Sequence, residues 1–375
     1  MSQPSLGPEE KTALCDVVDS GWITMGQKVR EFEAAFAALH QAEDCVAVSS
    51  CTAALHLILH ALNIGPGDEV LVPSLTFVAT ANCVLYVGAT PVFVDIESLD
   101  VPILSIEDAE AKVTPRTKAV ILVHFGGYLA NRDAWQAFAR RRGLLLIEDA
   151  AHAPGQIEVG SYGVAAAFSF YGNKNMTTAE GGAVITRDRA LLEKIRQMRG
   201  HGMTSGTRER LDSRNPLYDV TMLGFNYRMD EFRAAVGLAQ LRRLKSWNDA
   251  RGRLTELYRR LIALFCPQVI VPFSPVRPST HHIMAILLPD AEMRAVVIDQ
   301  LRDAGVQTTI HYPPVHRLSF FQERYRGTVL PLTEEFARRE LTLPLHPKLD
   351  VDMVEAIVRQ LAAAVHPPRK MAAAE

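Results

Sequence analysis

Apolar positions along the 375 residues switch between two periods. Over 9–19 and 27–40 they recur every three to four residues, and the second stretch lines up Val29, Phe32, Phe36 and Leu39 on one stripe. Both patterns predict helices. Short apolar runs then alternate with helical stretches. Strands are expected at 45–48, 69–72, 91–95, 119–124 and 144–147, and helices at 52–62, 76–86 and 132–141. Gly65-Pro66-Gly67 stops the first of these three helices. Strand and helix in repeated alternation predict an α/β fold with a mostly parallel sheet covered on both faces. Ligands of such folds sit beyond the carboxyl ends of the strands. Small or polar clusters fall at those ends, at 49–52, 73–77 and 149–152.

The pattern changes after about residue 230. One long helix is expected over 231–264. Strands follow at 269–271, 282–288 and 307–310, with helices at 291–304, 319–323, 334–341 and 351–364. The expectation is a large α/β domain over 1–245 and a smaller α+β domain over 246–375.

Composition narrows the function. Hydrophobic residues make up 48% and charged residues 22%, which argues against disorder. The balance of 40 basic and 42 acidic residues lacks the footprint of a nucleic-acid binder. No apolar run approaches the ~18 residues of a membrane span, and the opening MSQPSLGPEE lacks the layout of a signal peptide. Cys15, Cys45, Cys51, Cys83 and Cys266 are scattered, with no CxxC pair. Reduced thiols in a cytoplasm are expected, without a disulfide framework or zinc site. GxxxxGK[ST], GxGxxG opening a helix, HExxH and GxSxG are all absent. His281-His282 does not read as a metal pair, because adjacent strand residues face opposite ways; no metal is expected.

Three clusters carry chemistry. In Phe168-Ser169-Phe170-Tyr171-Gly172-Asn173-Lys174-Asn175 an apolar strand leads into a turn that presents one lysine. A solvated turn lysine reads the same way. Glu148-Asp149-Ala150-Ala151-His152 follows four aliphatic residues, and an Asp at the end of a buried strand is costly without a partner. Ser50-Cys51-Thr52-Ala53 joins a strand to a helix. N–H groups at a helix start with a Thr hydroxyl form a ready phosphate site, although an ordinary N-cap accounts for Ser50 or Thr52 equally well. One ligand satisfies all three clusters. Pyridoxal 5′-phosphate needs a lysine amine for its aldehyde, an acid for its pyridine nitrogen and a helix start for its phosphate.

The run SFYGNKNMTTAEGG resembles the Schiff-base lysine motif of the DegT/StrS sugar aminotransferases, a branch of the fold-type I pyridoxal-phosphate enzymes. The resemblance extends along nearly the whole chain, through SGWITMGQKVREFEAAFA, VSSCTAALHLIL, PSLTFVATAN, VFVDI, VHFGGY, IEDAAHAPG, RGHGM, LGFNYRMDEFRAA and IHYPPVH. It implies a seven-stranded, mostly parallel sheet and a PLP-dependent aminotransferase. Lys174 would hold the coenzyme and then move the proton at Cα of the amino donor. Asp149 would pair with the pyridinium nitrogen, His152 would lie near the ring and its 3′-oxygen, and Phe77 would stack on the ring. Thr52 and Ala53 would hold the phosphate, with Ser169 adding a hydroxyl. Asn226 would reach the phosphate from a second subunit, which implies a homodimer with shared sites. A core aromatic is the plain alternative for Phe77, and a turn asparagine for Asn226.

Some residues depart from the family pattern. Cys51 stands where many members have Gly, and STHHIMAI replaces a Trp-His-Leu-Tyr-like run, so that His282 matches and the Trp does not. Arg228, Tyr312, His316 and His201 sit in family-like motifs without assigned contacts. The implied function is transfer of an amino group from glutamate to a keto group of a nucleotide-linked 4-keto-6-deoxy sugar. One alternative is a free ketocyclitol or other keto sugar with glutamine as donor. A second, of a different class, is a non-transaminating dehydratase or regulatory protein. The dehydratase relatives carry His at the Schiff-base position, where this chain has Lys174.

Overall fold

The computed structural model describes residues 4–206, 210–211 and 213–365. Two helices, α1 (Pro8–Ser20) and α2 (Gln27–Leu39), precede the sheet. α2 buries Val29, Phe32 and Phe36, the stripe that its period predicts. There follow β1 (Val46–Val48), α3 (Cys51–Ala61), β2 (Glu69–Pro73), α4 (Ala79–Tyr86), β3 (Thr90–Val94), α5 (Ile106–Lys112), β4 (Thr117–Val123), α6 (Arg132–Arg142), β5 (Leu145–Asp149), β6 (Ala165–Ser169), β7 (Gly182–Ile185) and α7 (Arg189–Arg199). The remainder holds α8 (Glu231–Phe265), β8 (Met284–Leu287), α9 (Met293–Asp303), α10 (Ser319–Arg324), α11 (Pro331–Arg339), β9 (Glu340–Leu343) and α12 (Val351–Val365).

Seven strands form one sheet in the order β1-β7-β6-β5-β4-β2-β3. The pairs β2–β3, β2–β4, β4–β5 and β5–β6 are parallel, and β7 runs antiparallel to both β1 and β6. The pleat sends alternate side chains to opposite faces. On β4, Ile121 joins a core with Leu55 and Ile58 of α3 and Ile195 of α7. Its neighbours Val120 and Leu122 join Trp135 and Phe138 of α6 on the other face. Both faces are therefore covered, as a parallel sheet requires.

This topology brings three chain segments to one edge. β5 ends at Asp149 and β6 at Ser169, while β7 begins at Gly182, opposite both Ser169 and Val48 of β1. The segments after β1, β5 and β6 thus leave the sheet together.

α8 is unbroken across residues 245 and 246, so the expected boundary falls inside a helix. The helix lends Ala234 and Leu244 to the core of the large sheet. Further along, Leu254, Tyr258 and Ile262 pack into the core around the antiparallel pair β8–β9. Four local expectations fail. The helix expected from residue 76 begins at Ala79, which leaves 74–78 as a loop. The helix expected over 334–341 ends at Arg339, and Glu340–Leu343 is a strand; its burial between β8 and the core overrides its helical spacing. The strands expected at 269–271 and 307–310 reduce to single bridges, Ile270 to Leu287 and Thr309 to Thr342. Pro272 and Pro313 follow these segments closely and supply no N–H to extend a ladder.

Candidate active site

Asp149 is buried at the end of β5. Its Oδ2 accepts the hydroxyl of Thr80 on α4 at 2.7 Å. Its Oδ1 accepts the N–H of Ala151 at 3.2 Å and faces the Cys51 thiol at 4.0 Å. Burial pushes the Asp149 pKa up, while Thr80, Ala151 and the charge of Lys174 pull it back.

Lys174 stands in the turn after β6, with its N–H bonded to the Tyr171 carbonyl at 3.0 Å. The residue is half-buried. Loss of water around the amine lowers its pKa to about 8, against opposing pulls from Asp149 and Cys51. At pH 7 roughly a tenth of such an amine is uncharged, compared with well under a thousandth for an ordinary lysine. The site therefore holds an amine with nucleophilic character beside a carboxylate that is short of a counter-charge.

Close backbone contacts set this geometry. A Cβ at Gly182 would lie 2.5 Å from the Ser50 carbonyl carbon and 2.6 Å from the Cys51 nitrogen. Only glycine lets β7 press against the start of α3. The turn itself is closed by Thr178 N–H to Phe170 O and Phe170 N–H to Gly181 O, both 2.9 Å.

At the start of α3 the Ser50 hydroxyl accepts the N–H of Ala53 at 3.1 Å. Of the two residues expected at a phosphate, Ala53 therefore has its N–H engaged in the cap. Among the described residues, the N–H groups of Cys51 and Thr52 have no partner and lie at the positive end of the helix. Ser169 is buried and accepts the N–H of Tyr171 at 3.4 Å. The Cys51 side chain is directed at Asp149.

His152 is buried, with Nδ1 bonded to the Gly126 N–H at 3.2 Å and Nε2 at 3.0 Å from the Tyr312 hydroxyl. Burial, then the charge of Lys174, depresses its pKa far below the usual histidine range. Phe77 projects from the loop between β2 and α4, 60% exposed, with its ring 6.2 Å from that of Tyr312. Asn226 is exposed and its backbone bridges to Gly200. Its side chain makes no hydrogen bond to Lys174 or Asp149, while the carbonyl of its neighbour Tyr227 accepts the Ser49 N–H at 2.8 Å beside the start of α3.

Sequence reasoning missed several members of this cluster. Thr80 is 69 positions from Asp149, and no local period aims it there. Asn175, beside the expected lysine, bonds to His282 at 2.8 Å. Tyr312 lies in IHYPPVH, and no local signal there points to its bond with His152.

The residues fit a pyridoxal coenzyme. A carboxylate buried with one hydroxyl, one N–H and a thiol lacks a full cationic partner, and a protonated pyridine nitrogen supplies one. The free N–H groups of α3 suit a phosphate, and the uncharged fraction of Lys174 suits an aldehyde.

Comparison with known proteins agrees. The model of the DegT/DnrJ/EryC1/StrS aminotransferase family matches residues 4–362. The spore coat polysaccharide biosynthesis protein SpsC of Bacillus subtilis (strain 168) is 40% identical over 371 residues, 95% of this chain and 94% of SpsC. Spr1654 of Streptococcus pneumoniae, named as a sugar aminotransferase and solved in its PMP form, superposes with a TM-score of 0.91 at 29% identity, covering 97% of this chain and 98% of that one. PseC of Helicobacter pylori, an aminotransferase involved in the biosynthesis of pseudoaminic acid, gives 0.90 at 28% identity, with the same coverage of 97% and 98%. The chain therefore belongs to the DegT/DnrJ/EryC1/StrS family, as a fold-type I aminotransferase that uses pyridoxal 5′-phosphate.

Proposed function

We propose that this enzyme moves an amino group from glutamate to the keto group of a nucleotide-linked 4-keto-6-deoxy sugar. The observation that carries the reading is the pairing of Lys174, an amine with a depressed pKa, with Asp149, a buried carboxylate short of a cation. The coenzyme, when bound, supplies an electron sink for the bond made or broken at the reacting carbon. Lys174 would anchor it and, once released, would move the proton between Cα of the amino donor and C4′ of the coenzyme, and in the acceptor half from C4′ to the carbon that receives nitrogen. Asp149 holds the ring nitrogen protonated, with Thr80 and Ala151 fixing its orientation. Thr52 and the N–H groups at the start of α3 hold the phosphate, Ser169 adds a hydroxyl, and His152 lies by the ring. Phe77, exposed in the single chain, covers the ring face. Asn226 from a second copy completes the site in a homodimer.

The sugar assignment is supported by the names of the relatives, one of spore coat polysaccharide biosynthesis, one of pseudoaminic acid biosynthesis and one a sugar aminotransferase. A cytoplasmic location belongs to the same reading, supported by five free cysteines. Among the described residues no helix is long and apolar enough to cross a membrane. The test is a panel of nucleotide-linked and free keto sugars offered to the enzyme loaded with the aminated coenzyme. The expected result is consumption of the aminated form and an aminosugar nucleotide detected by mass spectrometry. Turnover of only free keto sugars would overturn the nucleotide-linked assignment.

A further inference from the structure

The hydroxyl that Thr80 gives to Asp149 has a second hydroxyl behind it. Thr80 Oγ1 lies 2.7 Å from Asp149 Oδ2 and 2.8 Å from Thr76 Oγ1, and both threonines are buried. A carboxylate only accepts, and a hydroxyl carries one hydrogen and two lone pairs. The single hydrogen of Thr80 is therefore spent on Asp149. The 2.8 Å contact must then take its hydrogen from Thr76. The three groups form a directed chain, from Thr76 through Thr80, that ends on the carboxylate. Hydrogen bonds in series polarise one another in a dry interior, so the first donor strengthens the second.

The chain starts in the loop between β2 and α4, one residue before Phe77. Other bonds pin this loop at each end. At its start the Ser74 hydroxyl meets His316 Nδ1 at 2.7 Å and accepts the His316 N–H at 3.2 Å, and the Ser74 carbonyl accepts the Val315 N–H at 2.9 Å. At its end the Phe77 carbonyl accepts the Thr80 N–H at 3.2 Å. The loop is thus held without the Thr76 hydroxyl, whose one bond among the described residues leads through Thr80 to Asp149. The titratable groups around Asp149 are Lys174, His124, Cys51, Cys83 and Tyr312. Neither threonine carries charge, so exchanging them leaves that field as it is.

We infer that Thr76 is a positioning residue for the acid of the coenzyme site. By donating to Thr80 it secures the hydrogen that Thr80 gives to Asp149, and so keeps that carboxylate charged and aligned for a protonated ring nitrogen. Thr76 acts only through Thr80, and no proton changes owner. The inference rests on Asp149 being the partner of the ring nitrogen, as proposed above, and is independent of the acceptor.

Two readouts test this, neither of them turnover. Carbon-13 NMR of the coenzyme-free protein follows the Asp149 carboxyl, assigned by its absence in Asp149→Asn. Spectrophotometric titration with pyridoxal 5′-phosphate gives the coenzyme affinity. Thr76→Val is expected to raise the pH at which Asp149 titrates by about half a unit and to weaken coenzyme binding by about two- to tenfold. Thr76→Ser keeps the hydroxyl, and Ser74→Ala loosens the other end of the loop; both are expected to leave the Asp149 titration as in the wild type. A double-mutant cycle separates a relay from a local packing effect. In a Thr80→Val background, Thr76→Val is expected to move neither readout, because its route to Asp149 is gone. Full additivity of the two changes, a Ser74→Ala shift equal to that of Thr76→Val, or no shift in Thr76→Val overturns the relay. If Asp149→Asn binds the coenzyme as tightly as the wild type, the reading of Asp149 falls with it. If Asp149→Asn binds more weakly while Thr76→Val is unchanged, the relay alone falls.

Discussion

Glu148 and Asp149 are neighbours on β5, both buried, yet the pleat sends them into different surroundings. Glu148 is fully provided for. Its carboxylate accepts from Gly160 N–H at 3.1 Å, Tyr162 N–H at 3.0 Å and His124 Nε2 at 3.1 Å. His124 is itself set by the Ala130 N–H at its Nδ1. This pocket ties the loop after β5 to the sheet and leaves nothing over for a ligand. Asp149 has one hydroxyl, one N–H and a distant thiol, with an amine of lowered pKa nearby. The contrast teaches that burial of charge does not mark a site by itself. A carboxylate whose protein partners fall short of its charge is the one that awaits another group.

Breaking the second pocket at its amine has the largest expected effect. Lys174→Ala is expected to lower turnover by at least about 10³-fold, since both the anchor of the coenzyme and the base for the Cα proton are removed; steady-state assay with amino donor and keto acceptor checks this. The two carboxylates come next and should separate cleanly. Asp149→Asn is expected to cut turnover by about 10²-fold or more through loss of the ring-nitrogen partner. It should not destabilise the coenzyme-free fold at pH 8. The Asp149 pKa is raised in the folded state, so its charge costs stability as pH climbs above the unfolded carboxylate value, and the neutral amide removes that cost. Glu148→Gln should do the reverse. It should destabilise by about 1–3 kcal/mol, because its new N–H₂ faces donors, and leave activity per folded molecule nearly unchanged. Denaturant unfolding alongside kinetics measures both.

A third buried carboxyl sharpens the comparison with the smallest effect. Glu340 on β9 accepts from the His311 N–H at 2.8 Å and from the Thr342 hydroxyl at 2.5 Å, and burial lifts its pKa to about 8. A raised acid binds a proton more tightly folded than unfolded. Its stabilising contribution is therefore present below the unfolded value of ~4.3 and is lost as pH rises through about 8. Glu340→Gln should flatten the fall in thermal midpoint between pH 5 and about pH 8. An unchanged slope assigns that fall to other groups.

Much of the architecture was legible from periodicity. The stripe of α2, the apolar runs of β2, β4 and β5 and the long α8 are set by local pattern, and they appear within a few residues of expectation. Elements whose state depends on distant partners were not. Glu340–Leu343 reads as the end of a helix until β8 pairs with it. The site divides the same way. Lys174, Asp149 and His152 stand at element ends that sequence can locate, and the structure gathers them. Thr80, Asn175, His282 and Tyr312 join them only through contacts across the fold, one of them spanning 160 positions. Phe77 and Asn226 are exposed, and neither a local period nor a contact within the chain assigns them a partner at Lys174 or Asp149.

The most direct test of the account is chemical. Borohydride reduction of the coenzyme-loaded enzyme, followed by proteolysis and mass spectrometry, maps the residue that carries the coenzyme. The account requires the adduct on Lys174, with none formed in Lys174→Ala. An adduct on another lysine of the wild type, or equal labelling of the variant, would contradict it.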